Sequence, residues 1–512
     1  MPRWILPAVV IVTVAGLTIN PVSFALSPRP LEATAAAERA GDWQTAAALA
    51  HRAGDRDRVR ANLRRLAQAR RTADPAFRQH VASFKAAEAL NLYAETLDTL
   101  GGLYADRAAA APAKLFAHGV EELSEALADP TFCAAHLDHP PAGAVEKFRA
   151  VLAADWAGRR PGSVPDARHT ARDLVRDAQA HLGVTHPAAI VFELLCGAAH
   201  GLDEYTVYAP PAADGPNLAE YGLSARPTPG GVVIDDIAPD SWAAAHLGLH
   251  KGDMVTRVNG HRLTASYPAA LTAALRTPGP DGHVIALAHD GPDDEAPAFR
   301  LPLPVPTVYA VDGPFTRPGV AHLRIGAFRP STPTELDDAL GQLKQQGVRA
   351  VVLDLRGNAG GSFAAALAVA GRFVGTGLIA SARGQSAEFA GRDFLAAVGT
   401  PTWDWPLVLV TDGRTASAAE LLAAACKDRG RATLVGGPTF GKGVVQSAPL
   451  PLRSADGRAG TLTVTVAEFL PPSGRPIHRQ GITPHVIEPD PARQLDRAFS
   501  AAAELAGGVA GR

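Results

Sequence analysis

Residues 411–446 read TDGRTASAAELLAAACKDRGRATLVGGPTFGKGVVQ and follow an apolar run, PLVLV at 406–410. The apolar run reads as a buried strand. The chain then turns through Asp412-Gly413 and enters an Ala/Leu-rich segment with helical spacing. Ser417 therefore stands at the mouth of a helix, just after a strand. Unpaired backbone N–H groups and the helix dipole favour developing negative charge at such a place. The helix is expected to stop at Lys427-Asp428-Arg429-Gly430, a basic last turn followed by Gly, and RATLV returns as a strand. A Gly-rich turn carrying Lys442 then leads into VVQ, which ends at Gln446.

A serine hydroxyl does not ionise near neutral pH, so a nucleophilic Ser417 needs a base. A lysine can serve only when it is neutral. A free lysine titrates at about 10.4, and burial among apolar groups would have to lower that by roughly three units. Phe440, Gly441, Gly443, Val444 and Val445 bring no carboxylate to Lys442. The competing readings are a helix N-cap for Ser417 and a solvated loop charge for Lys442. GGPTFGK at 436–442 imitates the opening of a P-loop. It fails because Gly443 stands where a Ser or Thr should hold Mg²⁺, Pro438 removes a donor, and the following VVQSAPLPL is strand-like. Nucleotide binding is therefore not expected.

TASAAE followed by TFGKGVVQ, with 25 positions from Ser417 to Lys442 and four more to Gln446, resembles the carboxyl-terminal processing (tail-specific) serine peptidases. The resemblance implies Ser417 as nucleophile, Lys442 as general base and Gln446 as the group that orients the lysine. LDLRGNAGG at 353–361 is similar to the family's LDLRxNPGG segment, with Ala359 in place of the usual Pro. Gly361 would then donate to the oxyanion, with the N–H of Ala418 as second donor. Glu420 also fits the family pattern; its plainer role is first-turn helix stabilisation. PPSGRPIHRQGITPHV resembles the closing segment of the family, although His485 stands where an Asp is usual. The resemblance runs over about residues 200–490 and implies no metal or organic cofactor.

The remainder of the chain sets the frame. Its 512 residues exceed one core and point to several domains, and 49 Gly with 42 Pro imply many turns. A net charge of −2 argues against a general nucleic-acid or membrane-surface binder. Three cysteines (Cys133, Cys196, Cys426) cannot form a disulfide framework; a single Cys133–Cys196 bridge is left open. HExxH and CxxC are both absent, so the 17 His read as scattered surface and core residues. Residues 1–25 read as an export signal: Arg3, the apolar run Trp4–Ile19, and a small-x-small site at Ser23-Phe24-Ala25. The rival is an uncleaved membrane anchor at 4–19, which is short and contains Pro7. Either reading puts the chain outside the cytoplasm, in the periplasm or cell envelope.

The expected architecture is multidomain α+β. Residues 31–205 form an N-terminal helical domain, with a loop at 158–168. Residues 219–305 resemble a PDZ domain, a β-sandwich or barrel-like fold. Tyr221-Gly222-Leu223-Ser224 matches its carboxylate-clasping loop, with an ordinary β-turn as the alternative. Residues 306–490 form an α/β peptidase core, crotonase or ClpP-like by the resemblance, and 491–512 a C-terminal helix or tail. Thr332-Pro333-Thr334-Glu335 reads as a capping box, and LTVTVAEFL at 462–470 as a strand with one exposed face. The expected activity is that of an exported serine endopeptidase whose partners are proteins or peptides with free C-termini. The alternative is a non-catalytic PDZ scaffold that keeps the peptidase fold. A histidine-dependent hydrolase is disfavoured, because there is no GxSxG elbow.

Overall fold

The computed structural model describes residues 30–52, 55–211, 221–228, 231–238, 241–263, 283–288, 297–302, 305–311, 317–397, 403–454 and 457–509. The expected export signal at 1–25 lies outside the described residues, as does 264–282 of the expected PDZ domain. The chain divides into two units. One comprises Met1–Ala212, Arg383–Ala390 and Val445–Ala467, and the other Ala213–Ala382, Gly391–Val444 and Glu468–Arg512.

The first unit is mainly helical from Pro30–Arg39 to Pro187–His200. Its centre is the helix Pro187–His200, whose residues from Ala188 onward are all buried. An apolar face this complete needs neighbours all round, and Ala86–Leu103, Pro112–Ala126 and Val164–Leu182 supply them. The loop expected at 158–168 gives way to helix from Val164. Ser163 accepts from the Asp166 N–H at 3.2 Å and Pro165 sits in the first turn, so Ser-Val-Pro is a helix start. Arg71 donates to Glu122 at 2.7 Å and to Glu193 at 3.2 Å, and Arg64 also reaches Glu122, at 3.1 Å. Burial pushes the Glu193 carboxyl up. Burial acts the same way on Glu122, but the His200 hydrogen bond and the Arg71 charge outweigh it and hold that carboxyl low. All three cysteines are free thiols, so Cys133 and Cys196 are not bridged. Strands Val207–Ala209, Gly457–Thr463 and Leu450–Ser454 make a small antiparallel sheet in this unit.

The second unit holds two six-stranded sheets, besides the antiparallel pair Leu378–Gly384 and Arg392–Leu395. The antiparallel one runs Leu223–Thr228, Gly231–Ile237, Met254–Val258, His283–Leu287, Ala298–Leu301 in both chain and spatial order. Asn259-Gly260, both at positive φ, make the tight hairpin to His261–Arg262. Val232, Ile234, Val255, Val258, Ile285 and Leu301 form its core.

The other sheet orders Val486–Ile487, Thr433–Gly436, Leu407–Thr411, Ala350–Asp354, Val320–Ile325 and Val308–Ala310. It is parallel except for the last, antiparallel edge strand. Ala350–Asp354 and Leu407–Thr411 are buried at every position, as central parallel strands covered on both faces should be. Helix Pro491–Val509 closes one face through Ala498, Phe499 and Ala502.

Two local expectations change. Glu335 does not close a capping box; its carboxylate accepts from the Thr307 N–H at 2.6 Å and the Val308 N–H at 2.9 Å, satisfying the start of the edge strand. LTVTVAEFL breaks at Val464 into two strands. Beyond that break Thr465, Val466 and Ala467 are all buried, so both faces are covered where one was expected to be exposed.

Candidate active site

Ala350–Asp354 and Leu407–Thr411 pair in parallel, Asp354 beside Val410, so the turns that follow them leave the same sheet edge side by side. The carboxyl ends of parallel strands are where open α/β sheets place their sites. Asp412 Oδ1 accepts from the N–H groups of Gly357, Arg414 and Thr415, each at 3.0 Å, which ties the two turns together. Asn358, fully buried, donates to the Ile325 carbonyl at 2.7 Å and accepts from the Gly360 N–H at 2.8 Å. Its own carbonyl accepts from the Ala416 N–H at 2.9 Å. Beneath this loop, solvent-free Asp354 accepts from Arg324 at 3.0 Å and Arg356 at 2.8 Å. Burial would push that carboxyl up; the Arg324 guanidinium more than offsets it and keeps Asp354 ionised.

Ser417 stands at φ 56, ψ −118, immediately before helix Ala418–Asp428. That conformation is strained for a residue with a Cβ, by about 1–3 kcal/mol, and persists only where neighbours enforce it. Gly360 is one such neighbour. A Cβ there would lie 2.8 Å from the Ser417 Cβ and 3.0 Å from the Ala418 nitrogen, so only glycine lets the two turns approach. Gly361, at φ 135, faces Phe328, whose N–H donates to the Gly360 carbonyl and whose carbonyl accepts from the Ser362 N–H. That pairing skips the Gly361 N–H. Among the described residues no hydrogen bond takes the N–H of Gly361 or of Ala418.

The lysine turn is pinned from several directions. Phe440 N–H donates to the Thr415 carbonyl at 3.0 Å, two residues before the serine. Arg479 N–H donates to the Gly441 carbonyl at 2.7 Å, and Phe469 N–H to the Gly443 carbonyl at 2.9 Å. A Cβ at Gly443 would lie 2.5 Å from the His478 nitrogen, so the closing segment packs directly on this turn. Lys442 itself is partly buried. The expected failure of the P-loop holds: strand Val444–Gln446 follows where a helix would be needed.

One side chain ties serine and lysine turns together. Glu420, 0% exposed, accepts from the Ser417 N–H at 2.9 Å and the Lys442 N–H at 2.7 Å on one oxygen. Its other oxygen accepts from the Gly441 N–H at 2.7 Å and from the Thr439 hydroxyl. The sequence marks Glu420 as fitting the family pattern and as a first-turn helix residue, and it assigns no role to Asn358 or Thr439. The signal present was a carboxylate three residues after the serine; its long-range partners carry no pattern in the chain.

Gln446 ends strand Val444–Gln446 and donates to the Thr465 hydroxyl at 3.3 Å. It belongs to the first unit, whereas Gly361, Ser417, Ala418 and Lys442 belong to the second. In the antiparallel sheet, Tyr221 and Leu223 are buried, Gly222 is at φ 82 and Ser224 is exposed, at the start of an edge strand. His485 Nδ1 accepts from the Leu434 N–H at 3.0 Å. Among the described residues no group of three or more His, Cys, Asp or Glu could hold a metal ion, and no helix is long and apolar enough to cross a membrane.

Residues 319–487, which contain both turns, match the model of peptidase family S41. The chain is 31% identical over 307 residues to a carboxyl-terminal-processing protease of Synechocystis sp., covering 57% of this chain and 70% of that protein. It belongs to that family. The family is one of serine-type peptidases, and its match spans Gly361, Ser417, Ala418, Lys442 and Gln446 together. A carboxyl-terminal-processing protease of Picosynechococcus sp. is 32% identical over 278 residues, 53% of this chain and 64% of that protein. Among solved structures, a photosystem II D1 C-terminal processing protease is 20% identical with a TM-score of 0.41, over 82% of this chain and 97% of that one.

Proposed function

We propose that this S41 peptidase is an exported serine endopeptidase acting through Ser417 and Lys442. The reading rests on one observation above all. Ser417 is held in a strained turn at a helix N-terminus, beside two main-chain N–H groups that no described residue engages. In this reading Ser417 Oγ attacks the scissile carbonyl carbon as neutral Lys442 Nζ takes its proton. The carbonyl oxygen, now an anion, is met by the N–H groups of Gly361 and Ala418, each such donor being worth about 3 kcal/mol. The C–N bond then breaks and Lys442 returns the proton to the departing amine. Water attacks the acyl-enzyme by the same route, giving a proton to Lys442 that passes back to Ser417. The export signal at 1–25 would place the activity in the periplasm or cell envelope. The 219–305 domain, read as PDZ, would present unstructured C-terminal tails as an added strand on its edge.

The test is cleavage of an unfolded protein by the purified chain beside Ser417→Ala and Lys442→Ala. Each substitution should abolish cleavage, and the double variant should be no worse than either single one, because the two residues act as a unit. Lys442→Ala retaining more than about a tenth of the activity would rule the lysine out as base, since base catalysis contributes roughly 10²–10⁴-fold.

A further inference from the structure

The GGPTFGK turn looks built for an anion, and the anion is internal. Gly441 and Lys442 aim successive N–H groups at the Glu420 carboxylate, at 2.7 Å each, in the manner of a main-chain nest. Thr439 completes the turn's grip. Its hydroxyl accepts from the Ile482 N–H at 2.8 Å, which leaves its own proton directed at Glu420. The fourth donor, Ser417 N–H, comes from the other side.

A carboxylate has about four acceptor sites, and here all four meet donors. A protonated acid or an amide in its place would turn a donor toward a donor. Helix capping alone accounts for the Ser417 contact and for none of the other three. The turns that carry Ser417 and Lys442, 25 positions apart in the chain, are thus clamped by one buried group.

We propose that Glu420, as the ionised carboxylate, is a positioning residue that fixes the Ser417 and Lys442 turns in one reactive register. This inference rests on the assignment of Ser417 and Lys442 given above. Glu420 touches neither substrate nor reacting atoms; it acts through the main chain of the two residues that do.

The experiment uses the full chain and a fluorophosphonate that labels reactive serines. The end-point of labelling counts competent molecules, and its rate reports the reactivity of Ser417 in them. A merely structural role lowers the end-point and leaves the rate alone. Glu420→Gln should leave the KM for a fluorogenic peptide within about threefold, and lower both kcat and labelling rate by 100-fold or more. Glu420→Asp, which keeps the charge, should recover part of that loss. An unchanged labelling rate in Glu420→Gln, or a reduced end-point at the wild-type rate, overturns the proposal. Should Glu420→Gln fail to fold, Thr439→Val and Thr439→Ser decide. Val removes one donor and should lower the labelling rate at least tenfold, while Ser, which keeps it, should stay within twofold. Equal rates in Val and Ser overturn the proposal equally. A wild-type chain that is neither labelled nor active removes the serine assignment and this inference with it. A labelled wild type with an indifferent Glu420→Gln removes this inference alone.

Discussion

At the scale of single residues, His485 shows how one departure from a family pattern changes the physics. An Asp there would accept a hydrogen bond at any pH above its own titration. His485 accepts the Leu434 N–H only as the neutral Nε2–H tautomer. Burial, with the Lys427 ammonium nearby, lowers its pKa below the usual histidine value. The sign follows from linkage. With the folded pKa depressed, the unfolded chain takes up the proton first, so this contribution is complete above about pH 6.5 and is lost as pH falls through that range. His485→Asn, whose Oδ1 can accept without titrating, should flatten the fall in Tm between about pH 7.5 and 5. Parallel Tm curves for the two proteins would show that His485 carries none of the acid sensitivity.

At the scale of elements, two junctions make separate predictions. In the loop after strand Ala350–Asp354, a Cβ on Gly361 would fall 2.1 Å from the Phe328 carbonyl oxygen, at a φ of 135 that L-residues avoid. Gly361→Ala should therefore displace the loop and its N–H, lowering kcat by roughly 10²–10³-fold with little change in KM, the usual loss for one oxyanion donor. A kcat within threefold of wild type would remove Gly361 from the site. In the helical unit, Arg71 is the shared partner of Glu122 and Glu193, which are 2% and 3% exposed. Arg71→Ala leaves two buried carboxylates facing each other and should destabilise that unit by about 3–5 kcal/mol, read from the denaturant midpoint. Arg71→Ala together with Glu193→Gln should recover part of that loss, because one uncompensated charge goes with it. If the double variant were no more stable than the single one, burial of Glu193 as a charge would not be the reason.

For the whole molecule, the proposal is selection of substrates by their free, apolar C-terminus. The loop Tyr221–Ser224 opens an edge strand, so a peptide could extend that sheet while main-chain N–H groups meet its carboxylate. A charged last residue would lose apolar burial and carry a desolvation cost, weakening binding by roughly 1–3 kcal/mol, tenfold or more. One unfolded substrate should be compared with its native apolar tail, with a C-terminal amide and with an Asp-Asp tail. The first should bind and be cleaved best. Equal cleavage of all three would dismiss tail selection and leave the Ser417–Lys442 chemistry untouched.

Much of this protein is legible in its sequence because the deciding forces are local or periodic. AVVL at 350–353 and PLVLV at 406–410 are continuous apolar runs, and they supply the fully buried parallel strands Ala350–Asp354 and Leu407–Thr411. The basic turn at 427–430 ended the helix that follows Ser417, as expected. The serine's place after a strand and before a helix followed from the same patterning. Burial of both faces beyond Val464 could not be read there, because burial depends on what is packed against a strand. Nor could the partners of Glu335, whose carboxylate serves the start of a strand 28 positions away. Glu420 is the sharpest case. Its charge and its place three residues after Ser417 are written in the chain, but its four donors come from two segments, and only folding brings them within 3 Å of one carboxylate. Periodic burial can be read from one segment at a time, whereas a buried charge is settled by whichever distant main-chain donors the tertiary structure delivers to it.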